Sequence, residues 1–322
     1  MSPIITERRV IGDYFERLKQ NTQSALVESI CTPVMTSDQD SEEYAWIGMV
    51  PSMVEQRGEK QFGQLRDIAW AVKNVKYQNG LLIPEKHLLY DKTGQVQIRV
   101  NEFADATTKH WWVLVAALII AGESSVCYDE QYFFDTDHSE GSSGVQSNSI
   151  THKVAKTTEP TATEMIDAIL SGVEAMIGFK DDRGEFVNED LNEFIILTGK
   201  SFVKSGLKAL SQSQIAKDNG SESNILIEQD SFRFRVVASP RISWTDRFAL
   251  ITPQGTQKPF IRQQRVPNQN GTGFNSDGIR LRTWWTDSEY CRDHDEVKVS
   301  VETERAAAYG DWKKACLVTL TL

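Results

Sequence analysis

Residues 127–138, CYDEQYFFDTDH, hold the side chains best suited to chemistry: one thiol, four carboxylates and one imidazole within twelve positions. Asp135, Asp137 and Ser139 stand at the first three ligand positions of a calcium-binding loop. That motif also requires glycine at its sixth position and glutamate at its twelfth, where this chain has glutamate and glutamine. The pattern therefore does not predict a calcium loop.

A zinc site in the same segment would need four ligands at a characteristic spacing. Cys127 and His138 supply two of them, and Cys291 with His294 forms a second pair of C-x2-H spacing. Nothing in the sequence joins the two pairs. An acidic loop that is solvated or hydrogen-bonded is the favoured interpretation, so neither a metal nor a cofactor is predicted.

The remaining catalytic motifs are weaker. The run GSSG at 141–144 is not a G-x-S-x-G nucleophile elbow, and the glycine-rich phosphate-binding motifs do not occur. Asp293, His294 and Asp295 could act as a base with an orienting carboxylate, but a charged turn before a strand is the simpler interpretation. Because no convergent catalytic set is predicted, a structural role is favoured over an enzyme.

Two tryptophan pairs could stack on bases or sugars. Trp111-Trp112 opens the most apolar run of the chain, 111–122, and Trp284-Trp285 ends an alternating strand pattern. Core or subunit-interface packing is favoured for both pairs. The run 111–122 is also shorter than the roughly 20 residues that cross a bilayer, so a buried helix is expected.

The composition is that of a folded protein: 322 residues, 40% of them hydrophobic, with a net charge of −10. Such an acidic surface is poorly suited to binding nucleic-acid phosphates. The chain starts without the apolar core of a signal peptide, and its four cysteines lack C-x-x-C spacing. Buried or free thiols in a reducing cytoplasm are therefore expected.

Hydrophobic periodicity predicts the elements that position these residues. An amphipathic N-terminal helix or arm is expected over 6–30 and a long hairpin over 44–85. A long helix is expected over about 95–121, with its C-terminal half buried. Residues 138–161 are rich in Ser, Gly and Thr and are expected to form a mobile loop. These elements make up the first half of the chain.

The second half mixes helices and strands. Thr161 and Glu164 form a capping-box pattern at the start of the next helix. A buried strand over 193–199 and a helix over 201–210 follow. Further strands are predicted from period-two alternation at 232–238, 247–252, 279–285, 296–302 and 316–322. The predicted class is α+β.

Several short segments resemble those of one protein family. Residues 127–138 are similar to its motif C-Y-D-G-x-x-F-F-D-T-D-H and depart from it only at Glu130. KPFIRQQR at 258–265 resembles its K-P-[FL]-I-x-Q-x-R strand, YGDWKKA at 309–315 resembles its closing segment, and residues 5–7 stand in its ITPE-like start. The chain resembles the major capsid proteins of tailed phages, which have the Hong Kong ninety-seven phage fold. Among these proteins it resembles the major head subunit of Mu-like phages and prophages.

The hairpin carries a further part of the resemblance, the family pattern Y-x-W-x-G-x-x-P…E-x-x-G-[DE]-[RK]. It is matched by Tyr44, Trp46, Gly48, Pro51, Glu55, Gly58, Glu59 and Lys60. The resemblance implies five parts along the chain: an N-terminal arm (1–43), an extended hairpin or E-loop (44–85), a peripheral domain with the spine helix and a loop (86–158), an axial domain (159–255) and a return to the peripheral domain (256–322).

The function that the resemblance implies is that of a major capsid protein, not an enzyme. It would assemble as hexamers and pentamers into an icosahedral head that encloses double-stranded DNA without sequence-specific binding. The implied partners are other copies, a separate scaffolding protein and a portal, with decoration proteins left open and no membrane. The implied place is the virion capsid, assembled in the bacterial cytoplasm. Two alternatives stay open: an encapsulin-like compartment shell, and a metal-dependent hydrolase that uses Asp135, Asp137 and His138.

The resemblance also suggests roles for two groups of residues. An extended hairpin with exposed apolar side chains is poorly stabilised in a monomer, so contact with a neighbouring subunit is expected. The expected assembly interface comprises Trp46, Met49, Met53, Glu55, Arg57, Glu59, Lys60, Phe62, Arg66 and Trp70. A structural loop is expected from Tyr128, Phe133 and Phe134, which would anchor the chain to the core, and from Asp135 and Asp137, which would bond backbone amides or a neighbour's basic side chain.

Overall fold

The computed structural model of the chain describes residues 5–21, 25–47, 67–91, 93–217, 220–228, 231–266 and 277–322. The helices are α1 (Glu7–Gln20), α2 (Ala25–Ile30), α3 (Glu85–Tyr90), α4 (Gln95–Ala121), α5 (Ala162–Ile177), α6 (Val203–Ser211), α7 (Ile225–Glu228) and α8 (Glu289–His294). The strands are β1 (Met35–Ser37), β2 (Ser41–Ile47), β3 (Asp67–Lys73), β4 (Val75–Pro84), β5 (His138–Ser139), β6 (Val145–Gln146), β7 (Ser149–Lys153), β8 (Glu193–Thr198), β9 (Gln214–Lys217), β10 (Gly220–Ser223), β11 (Arg233–Ala238), β12 (Arg247–Ile251), β13 (Phe260–Arg265), β14 (Ile279–Trp284), β15 (Glu296–Tyr309) and β16 (Ala315–Thr321).

The first sheet is built around β15, which has 14 residues. One edge of β15 pairs antiparallel with β4, and the other pairs with β14 near its start and with β13 near its end. Strand β1 extends this sheet in parallel to β13. Val297, Val299 and Val301 alternate onto the face that packs against α1 and α4, so this sheet has its own hydrophobic core.

The second sheet has the strand order β11-β8-β12-β16-β7. Its centre is apolar, since β8, β12 and β16 are buried along most of their length. Helix α5 covers it with a buried stripe, and the predicted capping box is confirmed: Thr161 Oγ1 accepts from the Glu164 amide at 3.3 Å, and the Glu164 carboxylate accepts from the Thr161 amide at 2.8 Å. Strands β7 and β16 lie outside residues 159–255 in the sequence and complete this sheet.

The hairpin ends earlier in the chain than predicted, because its second strand is β3, which ends at Lys73. Strands β2 and β3 pair antiparallel from Ser41 with Lys73 to Ile47 with Asp67. The following strand, β4, does not belong to this hairpin, because all ten of its residues pair with β15. Its residues are mostly exposed, as suits an edge strand, and periodicity alone cannot distinguish such a strand from an arm of a hairpin.

The predicted long helix is confirmed as α4, with 27 residues. Asp91 caps its start, since its carboxylate accepts from the amides of Val96 at 2.9 Å and Gln95 at 3.2 Å. The expected burial of its C-terminal half holds for one face, which includes Trp111, Val115 and Ile119, whereas Ile120 on the other face is 37% exposed. One face of the helix therefore packs on the core. No helix within the described ranges is long and apolar enough to cross a membrane.

Two other expectations differ from the structure. The predicted N-terminal helix is divided into α1 and α2. The segment expected as a mobile loop contains β5, β6 and β7, of which β7 pairs in parallel with β16. Its serines and glycines form turns between short strands, and hydrogen bonds to distant residues hold those strands in place. The amino-acid composition of a segment does not indicate such distant partners.

Candidate functional site

The acidic loop begins where α4 ends. Gly122 closes the helix, and its carbonyl accepts from the Phe134 amide at 2.9 Å. A Cβ at Gly122 would stand 2.6 Å from the Phe134 ring, so only glycine fits this close approach. The chain therefore folds back directly after the helix and carries residues 127–138 across its end.

Glu130 closes a tight turn in the left-handed region of the backbone, with φ of 68°. Its amide donates to the Cys127 carbonyl at 3.2 Å, and the Cys127 amide donates to the Gln131 carbonyl at 2.7 Å. A side chain in this conformation costs about 1–2 kcal/mol. This is the position at which the motif described above has glycine, so the departure from the motif falls on a residue where glycine is the better fit.

Replacing Glu130 by glycine is expected to raise the free energy of unfolding by about 0.5–1 kcal/mol, because relief of backbone strain exceeds the added entropy of the unfolded chain. Urea unfolding of the unassembled subunit measures this change in the free energy of unfolding. Glu189→Gly is the matched control, since Glu189 is also an exposed turn glutamate but has no positive φ, and glycine there should lower stability. Equal destabilisation by both changes would show that Glu130 is unstrained.

The loop's aromatic side chains enter the core. Phe133 is fully buried, stacks on Tyr309 with ring centroids 4.7 Å apart and packs on Phe260 at 5.3 Å. Phe134 lies edge-on to Phe133 at 4.9 Å. Tyr128 is also buried, and burial raises the pKa of its phenol well above the usual value. These rings join the end of α4 to strands β13 and β15.

The two carboxylates considered as calcium ligands do not converge. The Asp135 carboxylate accepts from the backbone amides of Tyr132 at 3.2 Å and Thr136 at 2.7 Å, which makes it a turn cap. Asp137 is exposed. Within the described ranges no group of three or more His, Cys, Asp or Glu side chains is arranged to hold a metal ion.

His138 is fully buried and occupied on every side. Its Nδ1 lies 2.6 Å from Asp129 Oδ2 and its Nε2 lies 3.2 Å from Asn148 Oδ1. The Asn148 amide is oriented by its donation to the Phe133 carbonyl at 2.7 Å, so Oδ1 faces the imidazole. Both ring nitrogens therefore lie beside side-chain oxygens. The ring also stacks on Trp312, with centroids 3.9 Å apart.

A second buried cluster ties the loop to the closing segment of the chain. Glu140 accepts at one oxygen from the Tyr128 hydroxyl at 2.6 Å and from Trp312 Nε1 at 3.3 Å. Its other oxygen lies 2.8 Å from Lys313 Nζ. The side chains of Glu140 and Lys313 are only 8% and 3% exposed. A buried pair of opposite charges with satisfied oxygens serves to hold the two segments in register.

The sequence did not indicate Glu140, Asn148 or Lys313 as members of this cluster. The one available signal is the segment 309–315, where two lysines interrupt an apolar run. Lysine is rarely buried unless it is paired, so such a position either faces solvent or has an acidic partner elsewhere. Which partner it has depends on contacts more than a hundred residues apart.

The other chemical candidates are inert. The Cys127 thiol is buried and donates to the Gly310 carbonyl at 3.7 Å, and burial raises its pKa well above the usual value. All four cysteines are free and buried, as predicted. Cys291 and His294 lie on α8, with the thiol buried and the imidazole exposed, stacked on Tyr290. They are not joined to Cys127 or His138.

Of the expected interface residues, Trp70 is the one whose side chain is described. It is half-buried and packs on its own chain's cluster of Val72, Ile261, Ala306 and Ala308. The side chain of Trp46, together with Met49, Met53, Glu55, Arg57, Glu59, Lys60, Phe62 and Arg66, lies outside the described residues. Their role in an interface therefore stays a prediction.

Comparison with known sequences shows similarity to a family over just under half of the chain. Residues 10–167 match the model of the family described as Mu-like prophage major head subunit gpT. A curated relative, the Mu-like prophage FluMu major head subunit of Haemophilus influenzae, is 30% identical over 139 residues. That match covers 42% of this chain and 45% of the relative, so the chain spans less than half of the relative's length. The predicted resemblance is confirmed.

Comparison with solved structures concerns the fold. The procapsid of bacteriophage JBD30 has a TM-score of 0.54 at 18% identity and covers 99% of this chain and 77% of its own. The mature capsid of bacteriophage PhiM1 has a TM-score of 0.55 at 10% identity, covering 94% and 88%. A virus-like particle from Pyrococcus furiosus has a TM-score of 0.52 at 8% identity, covering 97% and 98%. The predicted α+β capsid fold of tailed phages is confirmed.

Proposed function

We propose that this chain, which has the tailed-phage capsid fold and matches the Mu-like prophage major head subunit family over residues 10–167, is a major capsid protein. The family match is the observation that carries the proposal. The candidate site supports it, because the buried His138 is bound to Asp129 and the buried Lys313 is bound to Glu140. Groups used in this way stabilise a fold and are not available to a substrate.

The function of such a chain is surface burial repeated by symmetry. Each subunit would bury apolar area on its neighbours at roughly 25 cal/mol per Å², and closure of hexamers and pentamers into a shell would multiply those contacts. The hairpin would lie on an adjacent subunit, where its apolar side chains add affinity and its charges set register. The arm, peripheral and axial parts would keep the boundaries given above.

The proposed partners follow from that role. They are further copies of this chain, a separate scaffolding protein, a portal and the double-stranded DNA inside the head. Assembly would take place in the bacterial cytoplasm. The net charge of −10 suits a container, since an inner wall with low affinity for phosphate does not hinder DNA entry.

Electron microscopy of the full chain, expressed alone and together with a candidate scaffolding protein, tests the proposal. Closed shells or rings of subunits are expected. Monomers in both preparations, together with a turnover activity, would overturn it. Asp135→Asn should leave shells intact and remove no turnover, because the carboxylate only caps a turn.

Weak DNA binding is a second expected result. Anisotropy with a fluorescent duplex should show negligible binding of the unassembled subunit at about 150 mM salt, because a strongly acidic protein lacks the cationic surface that releases counterions. A tight complex that weakens steeply with added salt would contradict the container role.

The fold likeness to the virus-like particle from Pyrococcus furiosus keeps a compartment shell as the second candidate. The contents of purified particles distinguish a phage head from a compartment shell. A phage head produced with its packaging machinery holds DNA, whereas a compartment holds cargo protein. The family match favours the head.

A further inference from the structure

The hairpin of β2 and β3 is joined to the first sheet at both of its ends. Strand β1, which precedes it, pairs with β13, and β4, which follows it, pairs with β15. Within the described residues β2 and β3 pair only with each other. The connections are a bend at residues 38–40 and the single residue Asn74. Because a two-stranded sheet is marginally stable by itself, the angle between the hairpin and the first sheet depends on side-chain contacts.

The apolar contact between the hairpin and the first sheet is small. Its four buried members are Val72, Ile261, Ala306 and Ala308, with Tyr44 and Trp70 half-buried at its margin. Two of the four are alanines, and a small side chain removes little apolar area from water. Apolar burial alone therefore fixes the angle of the hairpin only weakly.

One buried side-chain amide contacts both strands of the hairpin. Gln263 lies on β13 and is fully buried. The Tyr44 hydroxyl on β2 donates to Gln263 Oε1 at 2.7 Å, and Gln263 Nε2 donates to the Val72 carbonyl on β3 at 3.2 Å. Burial raises the pKa of Tyr44 to about 12, so the phenol stays a donor at neutral pH. Moving either strand would leave a polar atom of the buried amide unpaired, which costs more than the net value of one hydrogen bond.

The base of the hairpin is closed by weaker contacts. The backbone amide of Asn74 donates to the Asp40 carbonyl at 2.9 Å, and its Nδ2 donates to the Gln39 carbonyl at 3.0 Å. Arg265 Nη1 lies 2.8 Å from Asp40 Oδ1 and 2.7 Å from Glu304 Oε2. The Asp40 side chain is 82% exposed, so this ion pair adds little stability. These contacts hold the two connections together, whereas the buried amide acts on the strands themselves.

The residues that make these contacts stand at motif positions of the sequence. Gln263 and Arg265 are the glutamine and arginine of the K-P-[FL]-I-x-Q-x-R pattern, and Tyr44 is the tyrosine of the hairpin pattern. Tyr44 and Gln263 are 219 residues apart in the chain. One hydrogen bond therefore joins two motifs that sequence reasoning treated as separate.

We propose that Gln263 is a latch that fixes the angle between the hairpin and the first sheet of its own subunit, through the Tyr44 hydroxyl and the Val72 carbonyl. The latch presets the hairpin for contact with a neighbouring copy, a statement that rests on the proposed function. A segment that is already held in its bound orientation loses less entropy on association, so it binds more tightly without any new contact. Tyr44 and Gln263 are positioning residues, because they act on that interface through the hairpin.

The first experiment measures amide hydrogen exchange by mass spectrometry on the unassembled full chain. Tyr44→Phe keeps the ring and removes the hydroxyl. Exchange in β2 and β3 should become about fivefold faster, the factor expected for loss of one ordinary hydrogen bond, while the urea midpoint of the whole subunit stays near that of wild type. Local opening of the hairpin without global destabilisation is the signature of a latch.

Tyr309→Phe is the matched control. Burial also raises the pKa of Tyr309 to about 12, and its hydroxyl likewise donates one hydrogen bond, to the Leu118 carbonyl on α4 at 2.8 Å. Exchange in β2 and β3 should match wild type in this variant. Wild-type exchange of these strands in Tyr44→Phe, or equal acceleration by Tyr309→Phe, would overturn the latch.

Gln263→Met is the second variant, because it removes both contacts at once. Exchange in β2 and β3 should rise further than in Tyr44→Phe, and adding Tyr44→Phe to it should change nothing more, since the acceptor is already gone. Strictly additive effects of the two changes would show that the residues are not coupled and would overturn the proposal. If Gln263→Met does not fold, Tyr44→Phe and its control decide alone.

The last measurement is the subunit concentration at which shells form, followed by light scattering. Tyr44→Phe should raise this concentration about fivefold at unchanged subunit stability, since the hairpin must then be ordered during association. An unchanged threshold together with faster hairpin exchange would overturn the presetting role. The exchange experiment needs no shells, so failure of the wild-type chain to assemble counts against the proposed function and is seen separately.

Discussion

Replacing Phe133 by alanine is expected to lower the free energy of unfolding of the subunit by about 3–5 kcal/mol. The side chain is fully buried and contacts Phe134, Phe260 and Tyr309, so its removal leaves a cavity that rigid neighbours cannot fill. Those neighbours belong to the loop, β13 and β15. The lost packing contacts therefore lie where three distant parts of the chain meet.

Urea unfolding of the unassembled subunit measures the change, and the yield of shells reports its consequence. Tyr132→Ala is the matched control, because Tyr132 is the preceding aromatic residue of the same loop but is 45% exposed. A loss within about 1 kcal/mol is expected for the control. Equal losses for both variants would show that the loop is not an anchor.

Replacing Lys313 by methionine is expected to cost about 3–5 kcal/mol, because it leaves the buried Glu140 carboxylate without its cation. Glu140→Gln should lower the free energy of unfolding by a similar amount, because it leaves the buried Lys313 ammonium without its carboxylate. The glutamine keeps an acceptor for Tyr128 and Trp312, so the loss reports the charge and not the hydrogen bonds. The pair thus tests the connection between the loop and the closing segment.

The double variant Lys313→Met with Glu140→Gln should cost clearly less than the sum of the single changes, because neither charge is then left alone. Lys156→Met is the control, since Lys156 also lies 2.8 Å from a glutamate, Glu159, but both side chains are more than half exposed. For Lys156→Met the free energy of unfolding is expected to fall by about 0.5 kcal/mol or less. Strict additivity at 313 and 140 would contradict the assignment of a coupled pair.

Several features of this protein were determined by the sequence alone. Helix α4 follows from its apolar spacing, and α5 follows from its capping box, because both signals act within one turn of a helix. The similarity to the Mu-like prophage major head subunit family was predicted from short motifs such as CYDEQYFFDTDH, and residues 10–167 match the model of that family. The resemblance also suggested that Phe133 and Phe134 anchor the loop to the core, and both side chains are buried.

Other features were decided only by the tertiary structure. Strand β4 was expected in the hairpin, but its partner is β15, more than two hundred residues away. The chemical character of residues 127–138 was likewise settled by distant groups: Asn148 and Trp312 enclose His138, and Lys313, 173 residues from Glu140, pairs with it. Local sequence does not encode such pairings, because their energy arises only when the chain closes long loops and removes both partners from water.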